Sequence, residues 1–273
     1  MKFQIKRLLS QILIFFSANL GALGLKTGFC YPFFYCNSCP AATSACPLRA
    51  IEQSVYKNSL NWRLLLYPIL ILGFFGVTSG RAICGWGCPI GLLQRGTGKI
   101  ARKLKKYPSI EKLGQHQIEP YLRYIKYFLL IGVVILTSYL IGFMFTDICP
   151  IGVLTGTIPT LILYPGKFVP GYYFLAAIVI FVLFLILIFT IERGWCRYFC
   201  PIGAILAPFN KISILHISLA PKEKIDKECI HCNACSNACP MGIDVCNMNR
   251  DPECILCGKC INICPKNLIK YER

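Results

Sequence analysis

Two runs of cysteines near the end of the chain have the spacing of cluster ligands. The first run is Cys229, Cys232, Cys235 and Cys239, the second is Cys254, Cys257, Cys260 and Cys264, and a proline follows each. Both read Cys-x₂-Cys-x₂-Cys-x₃-Cys-Pro, a spacing that holds two 4Fe–4S clusters, with the fourth cysteine of each run binding the other cluster. Structural zinc sites have other spacings. We therefore expect one cluster on Cys229, Cys232, Cys235 and Cys264, and a second on Cys254, Cys257, Cys260 and Cys239.

Two further cysteine pairs each follow a long apolar segment. Both continue into Cys-Pro-Ile-Gly, and they lie 112 residues apart. The four thiols are Cys84, Cys88, Cys196 and Cys200. Thiols in a reducing compartment do not rest as disulfides, so a bound metal is expected. A 4Fe–4S cluster is the favoured occupant of this inner site, and a four-thiolate zinc ion is the alternative.

A third set of cysteines lies in the two connections that join the first apolar segment to the second and the third to the fourth. Its members are Cys36, Cys39, Cys46 and Cys149. Cys149 begins another Cys-Pro-Ile-Gly sequence, which copies the inner motif and favours a fourth cluster at an outer site. Disulfides are the alternative, because an extracytoplasmic loop can oxidise its thiols. Cys30 could replace Cys149 as the fourth ligand, and Cys246 is otherwise a spare thiol.

The elements that must position these cysteines are apolar and long enough to cross a bilayer. Of the 273 residues, 55% are hydrophobic and 15% are charged, and the mean hydropathy is +0.57. This composition excludes a disordered chain and, with the apolar runs, a soluble enzyme. The predicted spans are residues 8–25, 62–79, 122–145 and 172–191.

Positive charge orients these spans. The connection 80–121 carries eight Lys and Arg residues and the tail 193–273 carries eleven, whereas 26–61 carries three and 147–171 carries one. Cytoplasmic connections hold the excess of Lys and Arg, so both termini are expected in the cytoplasm of a multi-pass protein of the cell membrane. The Lys and Arg residues that give the formal net charge of +17 lie beside the spans. We therefore expect the partner of the protein to be the lipid bilayer and not a nucleic acid.

The motifs repeat in the order span, outer Cys-Pro, span, inner Cys-x₃-Cys-Pro. We therefore predict an α-helical integral membrane protein whose four transmembrane helices form two parallel repeats. An α+β module with two clusters completes the chain. The expected domains are residues 1–115, 116–215 and 216–273.

Arg81 and Arg193 each lie three residues before an inner cysteine of their repeat. They either steady an anionic cluster or anchor the helix ends at the interface.

The paired Cys-x₃-Cys-Pro motifs and the tail with Cys-Pro-Met-Gly-Ile at 239–243 resemble the NapH-type membrane polyferredoxins. The motifs are also similar to those of NosR-type and CcoG-type membrane iron–sulfur proteins. The resemblance covers about residues 60–273. It implies electron transfer between a quinol pool or cytoplasmic donors and a partner redox protein, with Cys84, Cys88, Cys196 and Cys200 as the membrane-edge ligands. The outer cysteines depart from the resemblance and suggest an exit or entry for electrons on the outer face.

The sequence therefore predicts an iron–sulfur electron-transfer protein with a quinone as a candidate further cofactor. We expect redox partner proteins on the cytoplasmic side and, through the outer site, on the extracytoplasmic side. An accessory factor that supplies electrons for the assembly of a metalloenzyme is the alternative. The residues form no recognisable site for converting a substrate, so an electron-transfer subunit is expected rather than a stand-alone catalyst.

Overall fold

Helices make up most of the chain in the computed structural model, which describes residues 2–36, 38–104, 119–164, 166 and 171–272. The first half contains α1 (Lys2–Ala18), α2 (Pro47–Ser54), α3 (Trp62–Ser79), α4 (Ala82–Trp86) and α5 (Pro89–Leu104). The second contains α6 (Glu119–Leu122), α7 (Ile125–Leu140), α8 (Pro150–Leu163), α9 (Phe174–Thr190), α10 (Gly194–Tyr198) and α11 (Pro201–Leu206). The expected boundary between residues 115 and 116 lies outside the described residues.

Proline sets the start of the helices that follow the Cys-Pro motifs. Pro47, Pro89, Pro150 and Pro201 are the first residues of α2, α5, α8 and α11. Proline suits this position because its fixed φ matches a helix and its missing N–H has no partner there. Cys46, Cys149 and Cys200 are consequently extended residues at helix N-termini, where the positive end of the helix dipole favours a thiolate.

One helix of the described residues, α3, is long and apolar enough to cross a membrane, while α7, α8 and α9 are shorter apolar helices. The expected span 62–79 coincides with α3, 122–145 contains α7, and 172–191 contains α9. Helix α1 begins before the expected span 8–25 and ends within it. Helix α8 lies within residues 147–171, which the charge counts predict as an outer connection.

The two halves interleave rather than stand apart. Helix α5 of the first half packs against α9 of the second, and α11 of the second packs against α3 and α7. Leu72 of α3, Val134 of α7, and Phe184 and Ile188 of α9 lie in the buried core between them. This packing therefore allows cysteines of both halves to contribute to the same site.

The tail closes on itself through a two-stranded antiparallel sheet. Strand β1 (His216–Leu219) pairs with β2 (Ile269–Glu272) in a register that places His216 opposite Glu272. Between the strands lie α12 (Lys222–Glu228), α13 (Ala234–Asn237) and α14 (Lys259–Ile263). The sheet brings the ends of the tail together, so both cysteine runs are held in one compact unit.

Candidate iron–sulfur sites

The four inner cysteines come together from both halves. Cys84 lies on α4 and Cys196 on α10, each followed after one turn by the second cysteine of its pair, and all four are buried. Burial raises the pKa of the Cys88 thiol to about 12, and the neighbouring thiols Cys196 and Cys84 add to this shift. Ionising the group therefore needs a compensating positive charge, which bound iron would supply.

Buried arginines surround the inner thiols. Arg81 Nη2 donates to the Cys196 carbonyl at 3.2 Å, and Arg193 Nη1 donates to the Cys84 carbonyl at 3.1 Å. The Gln94 amide donates to Cys196 Sγ at 3.3 Å. Both arginines are almost completely buried, so they pack on the cysteine loops instead of reaching an interface as helix-end anchors.

Two buried N–H groups beside the inner site have no hydrogen-bond partner among the described residues. They are Arg81 Nε and Trp195 Nε1, and Trp195 directly precedes Cys196. Buried donors in folded proteins are nearly always paired. A group rich in acceptor sulfur, such as a 4Fe–4S cluster, fits four thiols accompanied by unpaired donors.

In the tail, one small and mostly apolar cavity is lined by all four cysteines expected for the second cluster. These are Cys239, Cys254, Cys257 and Cys260, with Met241 and Ile255 among the apolar lining. Cys239 comes from the first run, so the cavity has the crossed arrangement of cysteines that the spacing predicts. The donor set and the apolar lining both fit a 4Fe–4S cluster.

The cysteines expected for the first tail cluster lie closer to solvent. Cys232 is exposed, and Cys229, Cys235 and Cys264 are partly buried. Cys264 follows α14, which packs against α13, the helix that carries Cys235. The spare thiol of Cys246 lies 3.6 Å from Cys235 Sγ, a proximity that the sequence separation of 11 residues did not indicate.

The second-cluster loop of the tail docks directly on the inner site. Trp86 Nε1 donates to the Leu256 carbonyl at 2.9 Å, and the Asn210 amide donates to the Cys254 carbonyl at 2.6 Å. Glu253 accepts from Arg81 at 2.7 Å and also pairs with the buried Lys126 ammonium of α7. Burial acts to raise the pKa of Glu253, but the two cations outweigh it and hold the pKa below its usual value.

This ion triad was not found from the sequence. Lys126 lies inside the expected span 122–145, and Glu253 lies directly before the tail cysteine Cys254. A charged residue within an apolar run is costly unless it is paired. Lys126 was therefore the feature of the sequence that could have indicated a buried ion pair. Its partner, 127 residues away, could not be identified from spacing.

At the other end of the helices, three outer cysteines line a cavity of about 500 Å³. Cys36 and Cys46 come from the first half and Cys149 from the second. Gly152 and Gly156 of α8 lie beside Cys36, and Cβ atoms built on them would be at contact distances of 3.7 and 3.4 Å from its sulfur. Burial raises the pKa of the Cys46 thiol to about 12, so this group also needs a positive charge to ionise.

Cys39 and Cys30 lie apart from the lining of that cavity. Cys39 is buried, and its sulfur is 3.9 Å from the Tyr35 hydroxyl. Cys30 is buried in a backbone bridge to Ala45. The structure thus groups Cys149, rather than Cys30, with Cys36 and Cys46. The described cysteines are recorded as free thiols, and no group of three or more described His, Cys, Asp or Glu residues is close enough to hold a single metal ion.

Comparison with protein families identifies two kinds of segment described as a 4Fe-4S binding domain. One model matches residues 60–108 and 173–219, and another matches 226–242 and 252–267. The first pair contains the four inner cysteines, and the second pair contains all eight cysteines of the tail runs. The outer cysteines lie outside the matched segments.

Several curated proteins are similar to this chain. An uncharacterized protein of Methanocaldococcus jannaschii is 30% identical over 89% of this chain and 85% of its own length. The methylamine utilization ferredoxin-type protein MauN of Methylorubrum extorquens is 30% identical over 64% of this chain and 53% of its own. The ferredoxin-type protein NapH of Haemophilus influenzae is 26% identical over 71% and 59%. The chain thus spans little more than half the length of the MauN and NapH relatives. No solved structure matches the chain significantly.

Proposed function

Because the chain belongs to the NapH-type polyferredoxins, a family with NosR relatives, we propose that it carries electrons across a membrane. The electrons move between a cytoplasmic donor or quinol pool and a partner redox protein on the outer face. The family supports iron–sulfur electron transfer, and the outer cysteines extend it to a route with an exit or entry outside. The route is based on three groups of thiols, which are the tail cysteines, the inner cysteines and the outer cysteines.

The proposed ligands are the cysteines expected from the sequence. The tail sites use Cys229, Cys232, Cys235 and Cys264, and Cys254, Cys257, Cys260 and Cys239. The inner site uses Cys84, Cys88, Cys196 and Cys200, and the outer site uses Cys36, Cys39, Cys46 and Cys149. Clusters of the 4Fe–4S type bound there would supply one-electron carriers.

The proposed membrane placement is four spans with both termini in the cytoplasm. It is supported by α3, by the shorter apolar helices α7 and α9, and by the similarity to NapH-type proteins. Large apolar side chains are exposed along α3 and α9, among them Leu66, Phe74, Leu175 and Leu183. Such continuous apolar exposure is typical of a surface that contacts lipid or protein.

The observation that carries the proposal is the docking of the tail on the inner site. The Ile255 carbonyl packs against Gly85, so the loops with Cys254 and Cys84 touch through backbone atoms. The first tail site, with Cys232 exposed, is the part of this relay that a cytoplasmic partner reaches. Electrons then pass through the second tail site to the inner site.

The step between the inner and outer sites is the hardest part of the route for an electron, because of its length. Helix α3 has 18 residues, which corresponds to about 27 Å between its ends. The outer cavity shortens this gap, because its lining includes Ala177, one turn inside α9. From there, the rings of Phe181, Phe184 and Trp195 follow one another at centroid distances of 6.2 and 5.2 Å, and Trp195 precedes Cys196. A bound quinone remains the proposed alternative carrier for this gap.

The test uses the purified chain reconstituted in vesicles that enclose an electron acceptor. Dithionite added outside the vesicles reduces the exposed tail in molecules that face outward, and the proposal predicts reduction of the enclosed acceptor. Cys149→Ser should abolish this transfer and lower the iron content from about 16 to about 12 per chain. Cys30→Ser is the matched control, since this buried thiol lies in a backbone bridge to Ala45 and is not among the proposed ligands, and it should leave both values unchanged.

The outcomes separate the parts of the proposal. An iron content near 12 in the unmodified protein, with outer thiols found as disulfides, would remove the outer site and leave a redox module that faces only the cytoplasm. An iron content near 16 without transfer would refute conduction across the membrane. Loss of iron in Cys30→Ser instead of Cys149→Ser would assign the fourth outer ligand to Cys30.

A further inference from the structure

A buried glutamate lies behind the outer cavity and has no role in the route described so far. Glu52, near the end of α2, has 0% of its surface exposed. Its Oε2 accepts hydrogen bonds from the Thr146 hydroxyl at 2.5 Å and from the Thr146 amide at 3.4 Å. Its Oε1 has no hydrogen-bond partner among the described residues. An ionised carboxylate in this position is incompletely satisfied, because each buried oxygen normally has a partner.

The charges around Glu52 do not neutralise it. Arg49, one turn earlier on α2, donates to Thr146 Oγ1 at 2.9 Å and forms an ion pair with Asp147 at 2.6 Å. The Arg49 charge is therefore shared with a carboxylate that is nearer to it. Helices α3 and α7 also pack against α2. Their ionisable side chains are Arg63 and Tyr67 of α3, and Lys126, Tyr127 and Tyr139 of α7, while the thiols on this side are Cys36, Cys46 and Cys149.

Burial raises the pKa of Glu52 to about 7, although the Thr146 hydrogen bonds and the Arg49 charge act to lower it. Both protonation states are therefore accessible near neutral pH. The group is separate from the outer ligands, since it lies six residues after Cys46 and its hydrogen bonds go to Thr146, three residues before Cys149. It is nevertheless close enough for its charge to be felt at Cys46.

A path for protons to Glu52 is built into the same surroundings. Thr146, Arg49 and Asp147 all line the 500 Å³ outer cavity, which is roomy and polar enough to hold water. Thr146 thus lines the cavity while its hydroxyl donates to Oε2 of Glu52. Rotation of one hydroxyl can pass a proton from a cavity water to the carboxylate, since a hydroxyl both donates and accepts.

We propose that Glu52 is a proton-binding site coupled to the outer thiol site, so that electron transfer there is accompanied by proton transfer. When the outer site gains one electron from the inner site, Glu52 binds one proton from cavity water. When the electron leaves to an outer partner, the proton returns to the cavity. The net charge of this buried region then stays constant, which avoids the electrostatic cost of adding charge in a medium of low dielectric constant. This inference rests on the proposed outer cluster.

The coupling has a defined dependence on pH. Added negative charge at the outer site raises the affinity of Glu52 for a proton further. Between the pKa in the oxidised state and the pKa in the reduced state, one proton accompanies each electron. The reduction potential of the outer site then falls by about 59 mV per pH unit, which is the tenfold change per unit converted for one electron. Below and above this interval the potential is independent of pH.

The experiment is a potentiometric titration of the full chain from pH 5 to pH 9 with dithionite and mediator dyes. The outer cluster is followed by its electron paramagnetic resonance signal, and the tail clusters serve as the internal reference. We expect a sloping potential in the unmodified protein and a flat one in Glu52→Gln. Asp147→Asn is the matched control, because it also removes a carboxylate beside the cavity but from an exposed pair, and it should keep the slope.

Two further measurements keep the inference falsifiable if Glu52→Gln does not fold. Thr146→Val removes the hydroxyl that both favours the charged carboxylate and passes the proton, so at equilibrium the sloping interval should move to higher pH with the slope retained, while proton uptake becomes slower. Redox-induced infrared difference spectra should show a protonated carboxyl band on reduction. A flat potential in the unmodified protein, or a slope that persists in Glu52→Gln, would overturn the coupling. Absence of the outer signal, with about 12 irons per chain, would instead refute the outer cluster.

Discussion

Gly85 packs so closely on Ile255 that a Cβ built on it would lie 2.2 Å from the Ile255 carbonyl oxygen. Gly85 follows the proposed inner ligand Cys84, and Ile255 follows the proposed tail ligand Cys254. The contact therefore joins two proposed cluster sites through backbone atoms, with no side chain between them. Glycine is needed here because any larger residue forces the tail loop away from the inner site.

Replacement of Gly85 with alanine should separate the two sites. The methyl group must displace the carbonyl of a loop held by buried hydrogen bonds, and overpacking of this kind costs about 1–3 kcal/mol. We expect weaker magnetic interaction between the inner and second tail clusters and slower electron transfer from the tail. Electron paramagnetic resonance of the reduced protein and stopped-flow reduction would measure these effects.

Gly96→Ala provides the control for this substitution. Gly96 lies on α5, and a Cβ built on it meets nothing within 4 Å. Alanine should be accepted there without any change in cluster interaction. Equal behaviour of the two variants would contradict the docking contact as the link between the sites.

Substitution of Glu253 by glutamine should loosen the tail. The carboxylate lies between the buried cations Arg81 and Lys126, and its loss leaves two buried positive charges without a counter-ion. Removal of one partner from a buried ion pair costs about 3–5 kcal/mol. We expect a lower temperature of thermal denaturation in detergent, with faster proteolytic release of the tail.

Asp147→Asn is the comparison for Glu253→Gln because both replace a carboxylate that pairs with an arginine. The Arg49–Asp147 pair is partly exposed, and exposed pairs contribute less than about 1 kcal/mol. Its loss should leave the denaturation temperature nearly unchanged. A comparable loss in both variants would show that the ion triad is not what fastens the tail.

The cysteine spacing predicted much of the candidate sites because it is a local property. The runs from Cys229 and Cys254 can be read along the chain without knowledge of the fold. The choice between Cys149 and Cys30 could not be read, since both lie outside the spans and only packing separates them. Glu52 and Glu253 gave no signal because a single glutamate has no pattern. Helix α8 was missed because charge counts describe connections and not their structure.

The stability of the protein should depend on pH through Glu52. Its pKa is about 7 in the folded protein and about 4.3 in an unfolded chain. The folded state therefore binds the proton more tightly, and stability falls as pH rises from about 4.3 to 7. The full loss is roughly 4 kcal/mol above pH 7. Glu52→Gln has no such group and should show a flatter profile of denaturation temperature, measured in parallel. Identical profiles would contradict the raised pKa.

The spare thiol of Cys246 should substitute for a lost ligand of the first tail cluster. Its sulfur lies 3.6 Å from Cys235 Sγ, and Asn233 and Asp244 hold its loop in place. We therefore expect Cys235→Ser to keep about 16 irons per chain, with an altered electron paramagnetic resonance signal, because a thiolate from Cys246 replaces the missing one.

The double variant Cys235→Ser/Cys246→Ser should fall to about 12 irons, and Cys246→Ser alone should keep the full content. Cys232→Ser is the control, since Cys232 is exposed and the thiol contact of Cys246 is with Cys235, and it should lose its cluster even with Cys246 present. Loss of iron in Cys246→Ser alone would show that this thiol is itself a ligand of the first tail cluster.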